Sequence, residues 1–226
     1  MDQIVIYGIN MQAQALYEMI TQEQRANVKA FVVDRAYKKQ DELLSMPVYE
    51  AERIRELFPP EQFKVCLSFG YKNMVLNREE KFKQCKMLGY EIFTFISEHA
   101  TVYTKHIGEG CNIYPGTTIM PFVEVGEGCF IEAGCTIAHH TQIGAFNFIA
   151  PGAHFCGDVK TGKNCFFGGA CEVVNSCEIG ELSFVAAGAK VSRNIPAQSV
   201  VVPARSMRIE KDPFSFMQKM FKKMAR

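Results

Sequence analysis

The stretch that decides the fold is Ile107–Phe155, IGEGCNIYPGTTIMPFVEVGEGCFIEAGCTIAHHTQIGAFNFIAPGAHF. Counted in sixes from Ile107, the chain places Ile113, Ile119, Val125, Ile131, Ile137, Ile143, Ile149 and Phe155 in one series. The series runs on through Thr161, Phe167, Val173, Ile179, Val185 and Val191, so fourteen of its fifteen members are bulky and apolar. Four residues after each member stands a small or medium residue: Cys111, Thr117, Val123, Cys129, Cys135, Thr141, Asn147, Ala153, Val159, Cys165, Cys171, Cys177, Ser183 and Ala189. A helix needs apolar residues three and four apart, and a half-buried strand needs strict alternation. A period of six satisfies neither. It fits a triangular β-solenoid, with a short strand on each side and a turn at each corner.

Two glycine sets support that reading. Gly108, Gly126, Gly144, Gly162 and Gly180 recur every eighteen residues, and Gly116, Gly134, Gly152 and Gly188 keep the same phase. Both sets are expected at corners where the backbone needs positive φ. Three sides of six residues make one coil of eighteen. At about 4.8 Å per coil, nearly five coils give a prism roughly 24 Å tall.

The residues before the repeat have another rhythm. Gln3–Tyr7 reads as a buried strand ending at Gly8, Ala13–Ile20 as a helix, and Val28–Val33 as a second strand closed by Asp34. FKVCLSFG, a helix rich in Lys and Glu, and the short strand EIFTFI follow. Strands alternating with helices indicate a small parallel, Rossmann-like α/β sheet. Its ligands are expected at the carboxyl ends of the strands, at Gly8–Asn10, Asp34 and Ser68–Tyr71. The full dinucleotide fingerprint is absent, which leaves nucleotide binding and a docking-only role both open. The division expected is 1–97 for the α/β domain, 98–206 for the β-helix and 207–226 for an amphipathic helix bearing Phe214, Met217, Phe221 and Met224 on one face. That helix is expected to pack on the protein, with no membrane contact.

Composition narrows the function classes. A formal net charge of +1 supplies no field to attract nucleic acid. No apolar run reaches membrane-spanning length and no export signal opens the chain, so a cytoplasmic protein is expected. Six of the nine cysteines fall in the six-residue phase, where Cys serves as a small buried hydrophobe with a free thiol.

Chemistry points to His139 and His140, adjacent at a corner that faces away from the packed interior. An imidazole titrating near neutrality suits a general base, and a solvated turn is the bland alternative. Eighteen residues on, Gly157 stacks over His139 and Asp158 over His140. Asp158 is thus expected to hydrogen-bond one imidazole and orient it, with Gly157 leaving a slot beside His139. His106, His139 and His154 do not recur at multiples of eighteen, so no metal site is expected. The run Gly157-x4-Gly162-Lys163 mimics a phosphate loop, but Asn164 stands where Ser or Thr is required and no helix follows.

These features together resemble the bacterial sugar acyltransferases of the sialic acid O-acetyltransferase type (NeuD), including PglD-like N-acetyltransferases of nucleotide-linked 4-amino sugars. The residues that carry the resemblance are the opening IVIYG, the segment SFGY with NREEKFKQCKMLGYEIFTFISEHATV, the hexapeptide block with IAHH and PGAHFCGDVKTGKNCFFG, and the closing VVPARSM. It implies a left-handed β-helix, a homotrimer, acetyl-CoA as co-substrate, and His139 as base in direct transfer to a nucleotide-linked amino sugar. His140 stands where the family usually has an acid, with Asp158 as a substitute carboxylate. Phe148 stands where many members have a histidine near the acyl thioester. Backbone groups at Gly157, Gly169 and Ala187 are implied coenzyme contacts. Gly8, Asn10, Gln12, Asp34 and Gly70 are implied substrate contacts, with Gln12 at the histidine of the family's G-x-x-G-H. Sugar O-acetylation, another short acyl donor, and a non-catalytic trimeric assembly module are the alternatives.

Overall fold

The computed structural model describes residues 1–71, 73, 75–204, 212–215 and 217. Most of the amphipathic helix expected over 207–226 therefore lies outside the described residues. The chain begins with β1 (Gln3–Tyr7), α1 (Met11–Gln22), β2 (Asn27–Val33), β3 (Glu42–Leu43), β4 (Met46–Glu50), α2 (Ile54–Leu57), β5 (Lys64–Leu67) and α3 (Leu76–Met87). The sheet order is β3-β4-β2-β1-β5. All neighbours are parallel except β3, which runs antiparallel to β4. A tight turn at Leu44 and Ser45, both at positive φ, makes that hairpin. The sequence signals neither strand of the hairpin, because each side of it is short and lacks a regular alternation.

From Phe95 onward two-residue strands stack into three sheets of seven, six and four strands. Between Asn112 and Val191 their registers are eighteen residues apart, as in Phe130↔Phe148↔Phe166↔Phe184, Thr136↔His154↔Glu172↔Lys190 and Glu124↔Gln142↔Lys160. Both six-residue series point inward. Ile113, Ile131, Ile149 and Phe167 are fully buried alongside Cys111, Cys129, Cys135 and Cys165.

The small series does more than fill space. Cys111, Cys129, Cys135 and Cys165 each direct Sγ at the carbonyl oxygen fifteen residues on, at 3.1–3.3 Å, and Thr117 and Thr141 do the same with Oγ1 at 3.0 Å. A corner carbonyl inside the prism has no water to satisfy it, so a small side chain with a donor is favoured there. Thr161, the one polar member of the bulky series, meets Asn147 of the small series. Asn147 Nδ2 donates to Thr161 Oγ1 at 2.8 Å and to Gly162 O at 3.0 Å, and its Oδ1 accepts from Cys165 N at 2.6 Å.

The glycine expectation needs correction. Left-handed backbone recurs without a break every six residues from Gly110 to Gly188, and Gly116, Gly134, Gly152 and Gly188 occupy it. Gly108, Gly126, Gly144, Gly162 and Gly180 do not lie at positive φ. They are close-approach positions: a Cβ on Gly126 would lie 2.5 Å from Ala145 N, and one on Gly162 would lie 2.4 Å from Glu181 N.

The α/β part docks on the seven-stranded side. Arg78 of α3 is fully buried between the two regions. Its Nε donates to Gly128 O at 2.6 Å, Nη1 to Leu67 O at 2.8 Å and Nη2 to Gly110 O at 2.7 Å. Its guanidinium carbon lies 5.3 Å from the centre of the Phe130 ring. Phe130, Phe148, Phe166 and Phe184 stack along this side with ring centres 4.7–5.7 Å apart, and Tyr71 packs edgewise on Phe148 and Phe166.

Candidate active site

His139 and His140 sit at the corner between the six- and four-stranded sides, and both are exposed. Their Nδ1 atoms are 3.1 Å apart, a hydrogen-bond distance, and their rings are nearly perpendicular at 83°. One ring must therefore donate and the other accept. The His139 ring lies edge-on against Gly157, where a Cβ would come within 2.6 Å of Cε1 and 3.0 Å of Nε2. His140 stacks on Phe122 of the preceding coil, with ring centres 4.7 Å apart and an angle of 28°.

Asp158 takes a different place from the one expected. Its backbone N–H donates to His139 O at 2.9 Å, while its Oδ2 accepts from Ser176 Oγ at 3.0 Å. It forms no bond to an imidazole; the carboxylate turns instead to the serine one coil further on along the same corner.

The other expected residues fall into three groups. Gly169 and Ala187 stack eighteen residues apart at the corner between the seven- and six-stranded sides, one full side away from His139 and Gly157. Phe148, expected beside the acyl group, is 1% exposed and lies inside the aromatic stack under Tyr71. It sits half a coil from His139, so in this chain it is a core residue rather than a coenzyme contact.

The third group is the α/β set, and it divides. Gly8 has φ of +130°, and a Cβ there would press on Ser68 O at 2.9 Å. Asn10 caps α1, accepting from Ala13 N at 2.8 Å and donating Nδ2 to Ser68 O at 3.1 Å. Gln12 packs over Gly70, its Oε1 2.6 Å from where a Cβ would stand. Asp34 instead accepts from Tyr7 and pairs with Lys81 Nζ at 2.7 Å. There it lines a cavity of about 430 Å³ with Tyr7, Ala51, Ile54, Cys85 and Leu88. Burial and the Asp34 carboxylate hold the Tyr7 phenol well above its usual range.

Glu132 was not signalled by the sequence, since it occupies an ordinary outward position of the repeat. It is half-buried where the β-helix faces Gln12, and no cation among the described residues pairs with it. Burial pushes its carboxyl above the usual carboxylate range, partly offset by the Gln12 amide. The hydroxyls of Ser68 and Tyr114 are buried without a partner in the same region of the interface. Among the described residues no group of three His, Cys, Asp or Glu could hold a metal ion. None of the described helices is long and apolar enough to cross a membrane.

The family of the bacterial transferase hexapeptide (six repeats) matches residues 104–139. No curated protein matches by sequence. Solved structures do match. The acetyltransferase domain of PglB from Neisseria gonorrhoeae, in complex with acetyl coenzyme A, is 20% identical over 91% of this chain and 98% of that one, with a TM-score of 0.78. PerB from Caulobacter crescentus, solved with CoA and GDP-perosamine, is 22% identical over 88% of this chain and 92% of that one, at 0.77. WeeI from Acinetobacter baumannii is 22% identical over 92% of this chain and the whole of that one, at 0.80. This chain shares the architecture of these solved structures, an α/β region followed by a left-handed β-helix.

Proposed function

We propose that this chain transfers the acetyl group of acetyl-CoA to the amine of a nucleotide-linked amino sugar, with His139 as general base. The observation that carries the reading is the exposed His139 ring at a β-helix corner, backed by Gly157 and hydrogen-bonded through Nδ1 to its neighbour. Proteins of the same fold solved with acetyl coenzyme A, or with CoA and GDP-perosamine, support the ligands. In the transfer, the amine nitrogen attacks the thioester carbonyl and gives its proton to His139 Nε2. The C–S bond then breaks, and the departing thiolate recovers that proton from the imidazolium. Backbone N–H groups near Gly157, Gly169 and Ala187 suit the coenzyme and the oxyanion of the intermediate. The sugar would lie against Gly8, Asn10, Gln12 and Gly70, with residues 1–97 acting as the acceptor-binding unit.

His139 and the Gly169–Ala187 corner stand one side of the prism apart in a single chain. A homotrimer in which neighbouring prisms face each other would bring the two kinds of corner together, and this is the assembly we propose. Nine free cysteines, eight of them buried, support a reducing, cytoplasmic setting. The test is acetyl-CoA-dependent thiol release on a panel of UDP-, GDP- and dTDP-linked amino sugars. His139→Ala is expected to lower kcat/KM by about 10²- to 10⁴-fold on the acceptor that turns over. Equal turnover by the variant would remove His139 from the chemistry.

A further inference from the structure

The histidine corner differs from the other two in what it places in left-handed backbone. At the corner of Gly116, Gly134, Gly152 and Gly188, only Ala170 interrupts the glycines. At the histidine corner there is no glycine at all: φ is 63° at Phe122, 61° at His140, 58° at Asp158 and 57° at Ser176. Each of these side chains bears a steric cost that glycine would escape. Backbone strain retained against such an alternative points towards a role for the side chains.

The contacts show which ones. Asp158 and Ser176 hydrogen-bond each other. Phe122 stacks on His140, and His140 meets His139 through Nδ1. We infer that His140 is a positioning residue that accepts a hydrogen bond from His139 Nδ1–H, thereby fixing His139 in the tautomer with a bare Nε2, and that Phe122 holds His140 in place to do so.

The assignment of donor and acceptor follows from what each ring faces. His139 Nδ1 is taken up by His140, and no described residue bonds Nε2, so a bare nitrogen there can receive a proton from a ligand. His140 is held against Phe122 of the preceding coil instead. When His139 Nε2 takes up a proton, its Nδ1–H bond to the neutral His140 becomes charge-assisted and strengthens. A protonated His140 has no lone pair to offer and cannot accept.

Other titratable or charged groups towards the pair are Glu124 on the preceding coil with Lys105 and His106 one coil beyond it, Cys156, Asp158 and Lys160 on the following coil, and His154 on the adjoining strand. Lys160 faces Glu178 at 3.8 Å and Asp158 is held by Ser176, and neither is bonded to an imidazole.

The tautomer belongs to the unliganded protein, and only its use in catalysis rests on the acyl-transfer reading. The experiment is ¹⁵N spectroscopy of the full chain labelled at histidine, at pH 8, with the His139 signals identified by their loss in His139→Gln. The expected result is His139 protonated at Nδ1 and bare at Nε2, with His140 the reverse. In His140→Gly the His139 signals should move to those of the opposite tautomer or to a mixture, while the thermal midpoint stays equal or rises because glycine relieves the left-handed backbone. Phe122→Leu should give an intermediate spectrum. A bare Nδ1 on wild-type His139, or an unchanged tautomer in His140→Gly, overturns the proposal.

Kinetics supply the second readout. Loss of orientation in His140→Gly should lower kcat/KM by about 10- to 100-fold. His140→Glu should restore much of it and move the acid limb of the profile to higher pH, since an anionic acceptor favours the imidazolium. Full activity in His140→Gly would also overturn it. If no acceptor turns over in the wild type, the acyl-transfer reading fails and the spectra alone decide the tautomer.

Discussion

The two regions of this chain solve the same problem, the burial of parallel strands, by opposite means. In the β-helix every strand between Asn112 and Val191 pairs with one eighteen residues away, so each contact repeats its neighbour's, and only the two ends depart from that spacing. In the α/β part no spacing repeats, and β1 pairs with strands about 24 and 60 residues away. The repetitive region carries its own register in every coil. The other depends on singular anchors, of which Arg78 is the most buried. Three carbonyls from β5 and two corners converge on that one guanidinium, with no carboxylate among the described residues to neutralise it. Its burial is tolerable because the carbonyl dipoles and the Phe130 face replace lost water.

The largest expected effect comes from removing that anchor. Arg78→Met should cost about 3–5 kcal/mol by leaving buried carbonyls unmatched. Calorimetry should then resolve two transitions, with the α/β part melting before the prism. A single transition shifted as a whole would break the comparison, since it would mean the prism needs its partner region. A smaller effect should come from the repeat itself, where the two glycine classes separate. Gly126→Ala forces a Cβ against the next coil's backbone and should cost about 1–3 kcal/mol. Gly134→Ala meets nothing within 4 Å but keeps a φ of +71°, so its cost should be about 1 kcal/mol, from conformation alone. Chemical denaturation of both variants tests the order.

The smallest effect is a pH dependence at the seam. Burial raises the Glu132 carboxyl in the folded chain, so the folded state holds that proton more tightly than the unfolded chain does. The resulting stabilisation is complete at low pH and is lost as pH rises from about 4.3, the ordinary Glu value, through the raised folded value. Glu132→Gln should therefore match wild type near pH 4 and gain relative stability towards pH 7, as read by thermal midpoints. A difference constant with pH would mean that the carboxyl is not perturbed by the interface.

The same contrast explains what could be read in advance. Period six makes the prism visible because fourteen consecutive left-handed corners keep one phase, and a single misplaced residue would have broken it. The histidine corner was legible for the same reason, since Gly157 and Asp158 stack where the count of eighteen puts them. What the count could not say is which way a side chain turns once there. Asp158 turned to Ser176, and Phe122 supplied the ring under His140, a contact that depends on rotamers rather than spacing. Glu132 was invisible because its setting is made by Gln12, a residue 120 positions earlier in a region with no repeat. Arg78 reads as one more charge on a Lys- and Glu-rich helix until the second region covers it.

The eighteen-residue coil also determines how such a gene can be edited. Adding or removing eighteen residues within the prism lengthens or shortens it while every downstream side chain keeps its face. A change of six preserves the strand pattern and the buried series but rotates everything after it by one side. His139 would then emerge on a neighbouring corner, with the hydrophobic pattern still intact and the chemistry pointed elsewhere.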